Sequence, residues 1–147
     1  MTGKLIGIAK RTKVRAPMEE ITHATVTLDR GVADDARGVQ QNRKVTVLFR
    51  NDWEAACADH GKQLPWTTRR ANLFVDADGR SAKREGARIK IGPVVLEVYC
   101  ETDPCNRMDE QSQGVREALT PNWRGGVSCK VLTPGDIAIG DRVEVVE

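Results

Sequence analysis

Short alternating apolar stretches recur along nearly the whole chain, and each is soon broken by a glycine or proline turn; this pattern restricts the fold more than any other feature of the sequence. Residues 44–49 show it most cleanly, with Val45, Val47 and Phe49 on one face and Lys44, Thr46 and Leu48 on the other. Residues 4–10 and 25–29 read as strands, the second ended by Gly31. Residues 72–75 lead into the turn Asp76-Ala77-Asp78-Gly79, and 88–93 followed by 94–99 reads as a tight strand pair. Val127, Cys129 and Val131 alternate, and after Pro134-Gly135 the segments 137–140 and 143–146 read as a last strand pair. About eight to ten short strands imply a mainly β chain folded as a closed or nearly closed barrel.

One or two short helices interrupt the strands. Asn51 is placed to cap a helix, with Glu54 completing a capping box and Gly61 stopping it, and Trp53, Ala56, Cys57 and His60 share one face. Cys57 is thereby expected in the core. Asp103 reads as a second cap with Pro104 at the first helical position, and that helix runs to about Glu110, resuming to Leu119 before Thr120-Pro121-Asn122. Residues 31–43 have little hydrophobic period and read as a long loop, a place where function often lies. With 147 residues and no Pro/Gly/Ser linker, a single domain over 1–147 is expected.

Charge excludes little but steers the argument. The 23 basic and 21 acidic side chains leave a net charge of +2, so nucleic acid is not expected as a partner. The basic runs Lys10-Arg11-Thr12-Lys13, Arg69-Arg70 and Lys83-Arg84 suit a small anion better than a duplex. No apolar run is long enough for a membrane span and the amino terminus has no signal-peptide stretch, so a cytoplasmic protein with no membrane partner is expected. There Cys57, Cys100, Cys105 and Cys129 should remain thiols, and no Cys-x-x-Cys pair suggests zinc. His23 and His60 are too isolated for a histidine metal site or a Cys–His dyad, and no glycine-rich phosphate loop is present.

Cys105 stands apart. A free cysteine is more often a small buried hydrophobe, but Asp103-Pro104 before it and Asn106-Arg107 after it argue against a core position. A thiol in the first turn of a helix feels the positive end of the helix dipole, which favours the thiolate, and Arg107 adds charge. Cys100 and Cys129 each fall on an apolar strand face and read as structural. Arg37, Arg69, Arg70 and Arg124 flank loops or strand ends, and with Asn72 and Gly125 they offer guanidinium, amide and backbone donors suited to a phosphate or pterin.

Taken in order, several segments resemble the MOSC domain, the family named for the carboxy-terminal domain of molybdenum-cofactor sulfurase. They are residues 31–37 with Arg43-Lys44-Val45-Thr46-Val47-Leu48, then Trp66-Thr67-Thr68-Arg69-Arg70-Ala71-Asn72-Leu73, then 86–92 leading to Thr102-Asp103-Pro104-Cys105, and last Arg124-Gly125-Gly126 with 135–141. The resemblance implies a β-barrel-like fold that holds the pyranopterin molybdenum cofactor, with Cys105 as catalytic residue and thiolate ligand of the metal. It implies that Arg37, Arg69, Arg70, Asn72, Arg124 and Gly125 bind the cofactor. The function it implies is reduction of N-hydroxylated compounds, by this chain or by an assembly containing it, with electrons from a partner protein. The alternative is a sulfur-carrier or cofactor-carrier module that passes on a Cys105 persulfide, received from a donor protein, without turnover of its own. A histidine common in the family is absent around residues 31–37, and no pyridoxal-phosphate domain is expected in this chain.

Overall fold

Strand pairing in the computed structural model, which describes residues 2–146, closes seven strands into a barrel. The strands are β1 (Thr2–Lys10), β2 (Glu19–Ile21), β3 (His23–Thr27), β4 (Gly31–Val32), β5 (Val45–Phe49), β6 (Leu73–Asp76), β7 (Arg88–Ile91), β8 (Val94–Glu101), β9 (Val127–Thr133), β10 (Gly135–Ala138) and β11 (Arg142–Val146). The helices are α1 (Arg50–His60), α2 (Asn106–Gln111) and α3 (Val115–Leu119). Around the barrel the order is β11-β7-β8-β9-β5-β6-β1, and β1 pairs back onto β11. All of these pairings are antiparallel except β5 with β6, which is parallel. A parallel pair cannot be joined by a tight turn, and the connection between them carries α1 across the outside of the barrel.

That crossover explains the burial of β5. Val45, Val47 and Phe49 point into the barrel with Leu5, Leu73, Ile89 and Leu96. Leu48, on the other face, is covered by Trp53, Ala56 and Cys57 of α1 and by Leu119 of α3. Both faces of β5 are therefore dry, and truncating Leu48 to alanine should cost about 2–5 kcal/mol. Cys57 is core, as its helix face implied.

Several boundaries differ from the sequence reading for physical reasons. Helix α1 starts one residue before Asn51, with Phe49 at the cap position and no side-chain cap, so the Asn51–Glu54 box does not form. Glu54 instead accepts a hydrogen bond from Arg50 Nε at 3.0 Å. Gly61 does end the helix, in the left-handed conformation with φ 85°. Segments 135–138 and 142–146 are not paired with each other: β10 joins β3 and β4 in a separate three-stranded sheet, while β11 joins β7 and β1. The 31–43 stretch is not wholly irregular, since it holds β4 and a 3-10 turn at Ala36–Val39. Among the described residues no helix is long and apolar enough to cross a membrane.

One close approach at the barrel wall sets the place of Trp66. A side-chain carbon on Gly7 of β1 would lie 2.6 Å from the Trp66 ring, so only glycine leaves room there. Trp66 stacks on Phe74 with ring centroids 5.2 Å apart and opens the 3-10 turn Trp66–Arg69. The turn ends in Arg70, held in the left-handed region at φ 65°.

Candidate functional site: a cysteine beside a cluster of arginines

Cys105 is exposed and sits at the cap position of α2, with extended backbone at φ −126° and ψ 179°. The helix therefore begins two residues later than the Asp103-Pro104 signal suggests, and Asp103 does not cap it. The Cys105 carbonyl accepts the Met108 N–H at 2.9 Å, which fixes the start of the turn. Because α2 has only six residues, its dipole is a small source of positive potential. Charged side chains supply more.

Arg69 reaches under this segment from the Trp66–Arg69 turn. It is buried, donating from Nε to Gly125 O at 2.9 Å, from Nη2 to Thr102 O at 2.8 Å and from Nη1 to Met108 Sδ at 3.6 Å. One guanidinium thus ties the end of β8, the loop before β9 and α2 together. Burial, with Arg37 nearby, pushes it down to about 10, while Cys105, Asp103 and Glu101 pull the other way. The Glu101 carboxyl is itself raised by burial and by Asp103, with which it shares a side-chain hydrogen bond.

Further arginines surround the same end of the barrel. Arg37 is pushed down to about 10 by burial and by the charges of Arg11, Arg43 and Arg70. Arg70 is lowered by burial and by Arg11 and Arg107. Its Nη2 donates to Ala16 O at 2.5 Å, and Arg107 Nη2 donates to Arg15 O at 3.4 Å, so the 11–18 loop lies across both. Asp35, fully buried, organises this end: it accepts from Arg11 N at 2.7 Å and from Arg37 N at 2.8 Å. The Nε atoms of Arg11, Arg37 and Arg70 are buried and make no hydrogen bond. Buried donors normally find partners, and guanidinium groups this close repel one another, so the cluster concentrates uncompensated positive charge at this end of the barrel.

The structure thus brings Cys105, Arg37, Arg69, Arg70 and Gly125 together at one end of the barrel. Two other residues read as cofactor ligands are committed elsewhere. Asn72 accepts from Thr46 N at 3.0 Å and from Thr46 Oγ1, and donates from Nδ2 to Ala9 O at 3.3 Å, so its amide clamps β5 to β1 inside the fold. Arg124 turns the other way, donating to Asp59 Oδ2 at 2.6 Å and Ala118 O at 3.0 Å beside α1 and α3. It borders a cleft of about 590 Å³ with His60 and Gly114, which Cys105 does not line. Arg11, Asp35 and Thr102 are site residues that the sequence reading missed. Among the described residues no three His, Cys, Asp or Glu side chains converge as a metal site, so the four cysteines do not form one.

Residues 34–144 match the MOSC domain. The chain belongs to the MOSC domain family. The match runs from Asp34 beside the arginine cluster, through the Cys105 segment, to β11. Among solved structures the MOSC domain described here superposes on the YuaD protein from Bacillus subtilis with a TM-score of 0.84 at 19% identity, over 99% of this chain and 96% of that one. YiiM from Escherichia coli gives 0.73 at 15% identity, over 98% of this chain and 70% of that one. YiiM from Geobacillus stearothermophilus gives 0.71 at 15%, over 99% and 73%. At these identities the likeness speaks for the fold. No curated protein matches the chain.

Proposed function

We propose that this MOSC domain binds the pyranopterin molybdenum cofactor at the Cys105 end of the barrel and acts as, or as part of, a reductase of N-hydroxylated compounds. The observation that carries the reading is an exposed thiol beside the buried Arg69, which in turn feels Arg37 and through it the charges of Arg11 and Arg70. A phosphorylated pterin is flat and anionic, and its charge offsets the mutual repulsion of these guanidinium groups. A metal that arrives with its own organic ligand needs only one protein thiolate, and Cys105 is the soft donor in reach. When bound, the cofactor supplies two-electron reduction with removal of an oxygen atom from the substrate nitrogen.

The chain's own residues then have distinct tasks. Arg11, Arg37 and Arg70 hold the anionic group and are relieved of mutual repulsion by it. Arg69 touches no ligand in this reading; it holds Thr102, Gly125 and Met108 in place so that the Cys105 segment keeps its extended backbone. Asp35 positions Arg11 and Arg37 through their backbone N–H groups. Electrons come from a partner protein.

The test is molybdenum content of wild type and Cys105→Ser made in a host that produces the cofactor, with reduction of an N-hydroxylated amidine measured on both. Metal in the wild type alone, with activity tracking it, is the expected result. Equal metal in Cys105→Ser would sink the ligand role. The exposure of Cys105 also favours a second reading, transfer of sulfur as a persulfide; mass spectrometry that finds no added sulfur on Cys105 after incubation with a cysteine desulfurase and cysteine counts against it.

A further inference from the structure

Strand β1 turns back into β2 through the loop 11–18, whose neck is fixed on both sides. Lys10 pairs with Glu19 across the hairpin. Next to that pair, Arg11 N donates to buried Asp35 at 2.7 Å and Ala36 N donates to Arg11 O at 2.7 Å. On the returning strand, Glu20 accepts from Trp66 Nε1 at 3.1 Å. Arg11 Nη1 lies 4.0 Å from Met18 Sδ, so the two ends of the loop meet, as in surface loops that close on themselves.

The crown of the loop is held differently. Lys13, Val14, Arg15 and Pro17 are all exposed, Val14 at 73%. Ala16 N donates to Lys13 O at 3.1 Å in a turn that keeps Arg15 in the left-handed region at φ 70°. With these side chains in water, the crown is tied down from outside: Arg70 Nη2 donates to Ala16 O at 2.5 Å and Arg107 Nη2 to Arg15 O at 3.4 Å. The Arg15–Glu110 ion pair, 3.9 Å long between two exposed side chains, adds little.

Both ties are cations spent on neutral acceptors. Arg70 stands near Arg11 and Arg107, whose charges oppose its own, and a neutral carbonyl offsets little of that repulsion. An oxyanion accepts the same N–H donors, two at a time from one guanidinium, and adds charge of the opposite sign. Anion and carbonyls therefore compete for the same nitrogen atoms, and the anion is the stronger acceptor. Loss of the ties also removes a restraint that keeps Arg15 at positive φ, where a non-glycine residue is strained.

We propose that loop 11–18 is a strap beside the arginine cluster, released when an oxyanion takes the Arg70 and Arg107 donors from the Ala16 and Arg15 carbonyls. The neck stays paired and the crown swings on it. This inference rests on the reading that the arginines hold the anionic group of the cofactor, and it adds a conformational response to occupancy of that site. Arg107 follows Cys105 closely, in the helix that begins at the thiol, so the exchange of partners takes place beside Cys105.

Limited trypsin digestion of the cofactor-free protein tests the strap, because cleavage after Lys13 and Arg15 follows the population of the open crown. In sodium phosphate those cleavages should run about fivefold faster than in sodium chloride at equal ionic strength. Cleavage after exposed Lys62 should keep its rate. Arg107→Met removes one tie at a half-buried position, and Arg70→Gly removes the other while glycine accepts the φ of 65° there. Each variant should be cut faster than wild type in chloride, and the double variant should not respond to phosphate. Phosphate that slows the Lys13 and Arg15 cleavages or leaves them unchanged overturns the strap, as does a double variant that responds like wild type. Calorimetric titration with phosphate on the same samples separates the failures. Phosphate that binds without speeding cleavage refutes the strap alone, whereas no binding removes the anion site and the strap with it. Neither outcome depends on Cys105, whose ligand role is judged by metal content.

Discussion

Arg69 Nε donates to the Gly125 carbonyl at 2.9 Å, and a side-chain carbon on Gly125 would stand 3.0 Å from Nη2 of the same guanidinium. The same carbon would collide with the Thr102 carbonyl, which also accepts from Arg69. Gly125→Ala should therefore push Arg69 off two acceptors at once. Equilibrium urea unfolding should show a loss of about 1–3 kcal/mol, the usual range for overpacking a dry site. An unchanged midpoint would mean that the Thr102 and Gly125 segments part without cost and that Arg69 does not tie them.

The arginine cluster makes a second prediction with a definite sign. Arg37 and Arg69 are both pushed down to about 10, so the folded state holds these protons less tightly than the unfolded chain does. The resulting burden on stability is present at every pH below the folded value and is relieved only as pH rises through it, or by a bound anion. Inorganic phosphate should raise Tm more than sodium chloride at equal ionic strength. Arg37→Met should raise the Tm of the anion-free protein, by on the order of 1 kcal/mol of stability, and reduce the phosphate increment. Equal response of wild type and Arg37→Met to phosphate would argue against an anion site at Arg37.

Which parts of this arrangement could be read from sequence depends on how local their causes are. The β5 alternation, the Gly61 stop and the β7–β8 pair each depend on a few neighbouring residues, and each is present in the structure. The partner of β10 is β3, more than a hundred residues earlier, and no local rule carries that information. Cys105 was legible because polar residues flank it. Its place at the helix cap was not, because Asp103-Pro104 satisfies a local capping rule that the tie from Arg69 to Thr102 overrides. Asn72 reads as a ligand donor by residue type, yet the parallel pairing of β5 with β6 brings Thr46 to it and uses its amide. Arg11 was hidden in a basic run that resembles a solvated face; the tie from its backbone N–H to buried Asp35, which lies in another loop, has no local signal.

Thiol labelling gives a third prediction, resting on exposure alone. Cys105 is exposed, Cys100 is half-buried, and Cys57 and Cys129 are buried. Burial also pushes the Cys129 thiol up, which holds it in the unreactive protonated form. An aromatic disulfide reagent should modify Cys105 first in the native protein and reach Cys57 and Cys129 only on unfolding, with the rapid phase absent from Cys105→Ser. A rapid phase that survives in that variant would mean that another thiol is open to solvent.

Asp52 supplies a prediction in the acid range. Burial raises its folded pKa above the unfolded value, against the opposing pull of Lys83. Between the two values the folded state holds more proton than the unfolded chain, so this residue's contribution to stability is greatest at low pH and is lost as pH rises through the folded value. Asn at the same position has the shape of the protonated acid and does not titrate. The stability of Asp52→Asn relative to wild type should therefore increase from about pH 4 to about pH 7, where the carboxylate is ionised. Paired urea unfolding curves at the two pH values read this directly. A relative stability that falls over the same interval would show that the Lys83 ion pair outweighs the cost of burying the carboxylate.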